Sequence, residues 1–277
     1  MLILSLQRRI QGWLLLTLEL LLASSSGFSA TVSPLYSRGY TVIPEPQQVK
    51  LAAEDFQFNH DGWHLELGSS VQPKDVAVES LMEDLASRFQ VRVSTLRKGG
   101  TSARSIRLAI TSGSVSVGKA ADRDKDKLAE QAYQMVLAAD GISITANAAP
   151  GLFYGVQTLL QLIKSRDGEF WLPKGAIVDW PDLQLREIYW DDAHHLDHLD
   201  VLKRAIRQAA FFKINGFALK LEGHFEYKSA PALVEPYALT PAQYQELTDY
   251  GLRYYVQLIP FLDGPAHIAF ILILLSF

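Results

Sequence analysis

No cysteine occurs in the 277 residues. Disulfides, thiolate metal sites and a cysteine nucleophile are therefore excluded, although the compartment is not fixed by that absence. Excess positive charge is also lacking. With 26 basic residues against 30 acidic ones the formal net charge is -4, so no broad positive field gathers a polyanion, and nucleic acid is not an expected partner. A long apolar run near the start is missing too. Trp13 to Ala23 is interrupted by Glu19 and falls short of the about 20 residues that a stable membrane span needs. What remains, 48% hydrophobic and 20% charged residues, is the balance of a globular chain with a sizeable core and room for two domains. Nothing in the sequence demands a cofactor.

Arg8 and Arg9 precede the short apolar run, and Ser24, Ser25, Ser26 and Gly27 follow it before Ala30, which is the order of an export signal. Residues 1–30 are read as a signal peptide and the protein as exported, periplasmic or extracellular, or held at the membrane by an uncleaved signal.

Residues 35–180 read as an α+β domain. Phe56 to Phe58 and Trp63 to Leu67 alternate like half-buried strands, and Val91 to Leu96, Ile106 to Thr111 and Tyr133 to Leu137 have a strand-like pattern. Val78, Leu81, Leu85 and Phe89 instead fall near helical spacing. Asp140 and Gly141 before Ile142, Ile144 and Ala146 signal a hairpin of the type needing positive φ. Gly113 to Lys127, with its RDKDK run, reads as a solvated loop. Gly151 to Ile163, GLFYGVQTLLQLI, reads as a helix with Leu152, Val156, Leu159, Leu160 and Ile163 on one buried side.

Trp180, Pro181 and Asp182 mark a boundary, and residues 181–277 alternate strand, helix, strand, helix, strand, the signature of a parallel sheet with covering helices. The strands are Leu185 to Trp190, Gly216 to Leu221 and Tyr254 to Pro260. His198 to Lys213 forms one helix. Thr240 with Gln243 makes a capping box for another, with Pro241 at its first position and Gly251 at its stop.

Ligands bind beyond the carboxyl ends of parallel strands, and those ends deliver Asp191, Asp192, His194 and His195, then Glu222 and His224, then Asp263 and His267. Bland readings compete with functional ones. Asp191, Asp192 and Asp197 suit helix caps, and Asp197 is assigned to capping at least as readily as to chemistry. His194, His195 and His198 lack the glutamate of a zinc protease motif, so no metal is assigned. Arg186 within a buried strand needs a carboxylate partner or a ligand. Trp171, Trp180 and Trp190 suit either core or a sugar face.

Several segments carry a resemblance. IPEPQQV from Ile43 and GLFYGVQTLLQLI from Gly151 are similar to the opening strand and closing helix of the small amino-terminal domain of the family 20 glycoside hydrolases, the β-N-acetylhexosaminidases. WPDLQLREIYWDD from Trp180, FFKIN from Phe211 and IPFLDGPAH from Ile259 resemble parts of that family's catalytic barrel. The implied fold is a hexosaminidase-like α+β domain followed by the first three βα units of an incomplete (β/α)8 TIM barrel. Departures accompany the likeness: Glu187 stands where the family has glycine, His194 where it has a second arginine, and Ala218, Lys220 and Gly223 where it has a histidine-rich run ending in aspartate.

The resemblance implies removal of terminal N-acetylhexosamine from a glycan with retention, the substrate acetamide attacking the anomeric carbon while an aspartate orients it and a glutamate protonates the leaving oxygen. It makes Arg186 the substrate-binding residue and Asp191, Asp263 and His267 active-site supports. The family's Asp-Glu pair follows a fourth strand and is missing here, so no catalytic residue is assigned and the chain is expected to be inactive. AFILILLSF at the end, apolar with no polar face, reads as truncation or a frameshift near Ile271. The competing reading is a non-catalytic carbohydrate-binding or interaction module.

Overall fold

Alternating burial along Tyr133–Leu137 and Gly141–Ala146 sets the first sheet's inner face: Tyr133, Met135, Leu137, Ile142, Ile144 and Ala146 are buried, whereas Val136 between them is half exposed. The structure, a computed structural model, describes residues 32–59, 62–95, 104–195 and 197–263. The elements run α1 (Pro34–Ser37), β1 (Gln48–Gln57), β2 (His64–Leu67), α2 (Val76–Phe89), β3 (Ser94–Thr95), β4 (Ser105–Ile110), α3 (Lys125–Glu130), β5 (Tyr133–Leu137), β6 (Gly141–Ala146), α4 (Ala149–Leu162), β7 (Lys164–Arg166) and β8 (Glu169–Asp179). Their sheet has the order β1-β8-β5-β6-β4-β2-β3, with β7 beside β8. The β1-β8-β5-β6 half is antiparallel and the β6-β4-β2-β3 half parallel.

The β5–β6 hairpin forms, but its turn differs from the one expected. Gly141 N–H donates to the Ala138 carbonyl, so Ala139 and Asp140 are the central residues, and neither Asp140 nor Gly141 has positive φ. The Asp-Gly turn with positive φ at both residues lies instead between β7 and β8, at Asp167 (φ 55) and Gly168 (φ 82). The segment expected to be a loop, Gly113 to Lys127, ends in helix instead: Lys125–Glu130 winds into α3, whose first turn Asp124 caps by accepting from the Lys127 N–H.

α4 is buried on every side from Gly151 to Leu160, rather than along one stripe. The sheet covers one flank. A second layer covers the other: Phe153 packs on Tyr254 and Tyr255, and the Gln161 amide donates to the Phe211 carbonyl at 2.8 Å. Gly151 and Gly155 permit the close approach to the sheet. A Cβ on Gly151 would lie 2.5 Å from the Ala132 carbonyl oxygen, and one on Gly155 would meet Ile144 at 2.6 Å. Because backbone cannot yield as a side chain can, Gly151→Ala is expected to cost about 1–3 kcal/mol. A urea midpoint unchanged from the parent would contradict that.

The second layer is β9 (Glu187–Asp191), a 3-10 turn (Asp192–His194), α5 (Leu199–Phe211), β10 (Gly216–Lys220), α6 (Pro241–Arg253) and β11 (Gln257–Phe261). The three strands lie parallel in the order β9-β10-β11. Right-handed βαβ crossovers favour this arrangement, each strand followed by a helix that packs back on the sheet. The Thr240–Gln243 capping box is present as expected. Gly251 does not stop α6, which continues to Arg253. It is required by proximity instead: a Cβ there would lie 2.6 Å from the Val256 carbonyl oxygen. Asp197 does not cap α5, whose N-cap is His198 with no side-chain cap bond.

Both crossover helices end alike. Lys213 N–H donates to Ala210 O and Ile214 N–H to Ala209 O; Tyr255 N–H donates to Leu252 O and Val256 N–H to Gly251 O. These are Schellman closures, with Lys213 (φ 60) and Tyr255 (φ 59) in the left-handed position usually taken by glycine.

Candidate functional site

Parallel register places Asp191, Lys220 and Phe261 side by side, so one face of the second sheet carries Tyr189, Asp191, Ala218, Lys220, Ile259 and Phe261. The other face sends Phe217, Leu219 and Leu258 into the core, with Ile188 and Trp190 packed against it. Tyr189 and Phe261 meet edge to face at 5.1 Å and remain 51% and 39% exposed, so the charged face is open.

Lys220 is the hub of that face. Its side chain is 6% exposed, and the ammonium lies 2.8 Å from Glu222 Oε1, 3.0 Å from Asp263 Oδ2 and 3.9 Å from Asp191 Oδ2. The hydrogen bond that it donates to Glu222 is the largest influence holding its pKa above the ordinary lysine value, against the opposing effect of desolvation. A raised lysine pKa stabilises the fold below the unfolded value of 10.5 and ceases to do so as pH climbs beyond it. Lys220→Met is therefore expected to lower the urea midpoint at pH 9, with the gap from the parent shrinking by pH 12. A gap that widened with pH would contradict this.

Beside the hub, Asp192 is fully buried. It pairs with His224 Nδ1, and its Oδ1 accepts the Asp197 N–H at 2.8 Å. His224 Nε2 faces the Tyr237 carbonyl at 3.1 Å, so this pair ties the β9–α5 loop to the β10–α6 loop. Asp197 Oδ2 accepts from the Trp190 indole at 3.0 Å, and Trp190 stacks on Phe217 at 5.7 Å. Burial raises the Tyr244 hydroxyl to about 12.

Of the residues picked from sequence, Asp191 and Asp263 are brought together around Lys220. His267 lies outside the described residues, as do residues 1–30 and Ile271. Arg186 does not join the group. It precedes β9, at the amino end of the parallel sheet, and its partners are main-chain carbonyls rather than a carboxylate: Nε donates to Lys213 O at 2.8 Å and Nη1 to Leu183 O at 2.8 Å. Its guanidinium also lies 5.3 Å from the centre of the Tyr154 ring. Desolvation lowers its pKa, and the three carbonyls take up donors for which a carboxylate partner or a ligand was expected. His195 and His198 are exposed, and no three His, Asp or Glu side chains among the described residues are placed to hold a metal.

The model for glycosyl hydrolase family 20, domain 2, matches residues 39–180. The chain belongs to glycosyl hydrolase family 20. Among curated relatives of this family 20 chain, the beta-hexosaminidase of Porphyromonas gingivalis is 27% identical over 274 residues, covering 89% of this chain and 33% of the relative. The chitooligosaccharidolytic beta-N-acetylglucosaminidase of Ostrinia furnacalis is 27% identical over 217 residues, covering 70% and 36%. The solved beta-N-acetylhexosaminidase of Streptomyces coelicolor is 25% identical with a TM-score of 0.64, covering 82% of this chain and 47% of that one. A Flavobacterium johnsoniae chitobiase shares the fold at 20% identity and TM-score 0.67, covering 87% and 37%. The chain spans about a third of the length of the Porphyromonas and Ostrinia relatives.

Lys220 as a hub and the Asp192–His224 pair were missed from sequence. The partners stand 29 to 43 positions apart on three strand ends, and only the parallel register brings them together. A lysine inside a strand, followed closely by Glu222, was the one available signal.

Proposed function

We propose that this chain is the amino-terminal portion of a β-N-acetylhexosaminidase-like glycoside hydrolase, its second layer forming the first three βα units of a (β/α)8 barrel. The observation that supports this reading best is the consecutive parallel order β9-β10-β11, with Asp191, Lys220, Glu222 and Asp263 gathered at the carboxyl ends. A relative from Vibrio harveyi is solved with N-acetylglucosamine, which fits a terminal N-acetylhexosamine as substrate. On this reading residues 1–30 direct export, and residues 35–180 and 181–277 are the two domains.

The reaction is substrate-assisted hydrolysis with retention, and in it these residues form part of one wall of the pocket. Asp191 and Asp263, fixed by Lys220, hold neighbouring groups in place. Arg186 stands at the far end of β9 and binds substrate only if its side chain leaves the carbonyls it now bonds. No Asp-Glu dipeptide occurs in the sequence, so the proton donor and acetamide-orienting pair are not supplied by these residues.

A chimera in which this chain replaces the matching part of the Streptomyces coelicolor enzyme tests the proposal. It should hydrolyse an aryl N-acetylglucosaminide, and Asp263→Asn should reduce kcat by about tenfold or more through misplacement of the pocket. A folded chimera without turnover would overturn it.

A further inference from the structure

At the end of the parallel sheet opposite Lys220, the first sheet and the amino ends of β9 and β10 enclose a cavity of about 200 Å³. Tyr133, Tyr154, Asp179, Trp180, Arg186 and Lys213 line it. Lys213 and Asp179 are 5% and 7% exposed, so they are built into the wall rather than solvated. Lys213 Nζ donates to Asp179 Oδ2 at 2.9 Å and to the Tyr133 hydroxyl at 3.2 Å, and that hydroxyl donates to Asp179 Oδ2 at 2.8 Å. Asp179 Oδ1 accepts from the Gln47 N–H at 3.2 Å.

A donor inventory shows what is left over. An ammonium has three hydrogens and a guanidinium five, while a carboxylate offers about four acceptor sites. Lys213 has engaged two. Arg186 has engaged three on the carbonyls of Lys213, Leu183 and Gln184, with its guanidinium over the Tyr154 ring. Asp179 accepts three bonds. Counting bonds among the described residues, each ionic side chain thus keeps at least one position unused, donors on Lys213 and Arg186 and an acceptor on Asp179, beside the aromatic rings of Tyr154 and Trp180.

Charge narrows the occupant further. Glu45 and Asp182, both exposed, also line the cavity, so an approaching anion is repelled at the rim while a cation is repelled by Lys213 and Arg186 inside. A neutral molecule carrying several hydroxyls satisfies donors and acceptor alike and offers an apolar ring face to the aromatics. Size sets the last limit. Sites for drug-sized ligands run to roughly 300–1,000 Å³, so this smaller space takes one ring and not a chain.

We propose that this seam cavity is a second carbohydrate site, binding a single neutral pyranose between the first sheet and the β9–β10 layer. It does not depend on the hydrolytic reading, because its groups lie at the opposite end of the parallel sheet. Occupancy would bridge the two layers through Asp179 on β8 and Lys213 after α5.

Saturation-transfer NMR on the full chain tests it, with glucose, N-acetylglucosamine and glucuronate as probes. Glucose or N-acetylglucosamine should give transfer. Leu183→Trp, which fills the mouth from a half-exposed position, should abolish it or weaken binding by about tenfold or more. Asp263→Asn, at the other end, should leave transfer intact. The proposal is overturned by no transfer from either neutral sugar at tens of millimolar, by transfer that persists in a folded Leu183→Trp variant, or by glucuronate outcompeting glucose. Loss of transfer in Asp263→Asn alone would also overturn it, assigning the binding to the Lys220 face.

Discussion

Lys213→Met is expected to lower the unfolding free energy by about 3–5 kcal/mol, the range for removing one partner of a buried ion pair. The loss is large because Asp179 is left 7% exposed, its remaining partners Tyr133 and Gln47 both neutral donors. Backbone geometry supports the same conclusion. At φ 60 Lys213 holds a conformation that costs a side-chain-bearing residue about 1–2 kcal/mol, and a glycine there would close α5 without strain. That a lysine occupies the position points to the ammonium as what it contributes. Lys213→Gly should therefore lose less than Lys213→Ala, by about 1 kcal/mol, while both remain well below the parent. Chemical denaturation of the three variants decides this, and a Lys213→Met loss under about 1 kcal/mol would contradict it. Asp179→Asn in the Lys213→Met background should recover part of the loss, since it removes the stranded charge.

Asp192→Ala should cost about 2–4 kcal/mol, from two interactions lost together. One is the buried pair with His224; the other is the bond from the Asp197 N–H. His224 also reaches the Tyr237 carbonyl, and Leu239 N–H donates to the His224 carbonyl, so the β10–α6 loop is organised around this imidazole. Hydrogen exchange should show faster exchange at Asp197 and Leu239 in the variant, with the amides of β5 and β6 unaffected. Equal acceleration throughout the first sheet would show instead that the pair supports the whole fold and not these loops. Asp192→Asn, which keeps an acceptor oxygen, should lose less.

Much of the architecture was readable along the chain because local patterns and tertiary burial agree there. Ile142, Ile144 and Ala146 point inward by simple alternation, and Thr240, Pro241 and Gln243 start α6 through a bond pattern four residues long. Legibility failed where a second layer changed the environment. α4 looked one-sided because its amphipathicity was judged against a single sheet, but Phe153 and Gln161 have partners beyond residue 210. Gly251 looked like a helix stop, yet the Val256 carbonyl is what excludes a side chain there. Asp140 and Gly141 carry the letters of a positive-φ turn, while a turn built one residue earlier makes that conformation unnecessary.

The candidate site divides in the same way. Acids at the carboxyl ends of parallel strands could be picked out from strand order alone, and Asp191 and Asp263 do converge. What each acid is engaged in could not, because it depends on cross-strand register. Glu222 and Asp263 are held by Lys220, and Asp192 by His224. Arg186 shows a related dependence on placement: one residue before β9, it meets the carbonyls of Leu183 and Lys213 instead of the carboxyl-end acids.

Asp191, Glu222 and Asp263, paired with Lys220, and Asp192, paired with His224, are proposed to support a glycosidase pocket wall rather than to serve as its proton donor. Release of para-nitrophenol from its N-acetyl-β-glucosaminide by the purified 277-residue chain tests that claim most directly. The account predicts no release above the uncatalysed rate from a chain shown to be folded. Turnover that disappears in Arg186→Ala or Glu222→Gln would contradict it.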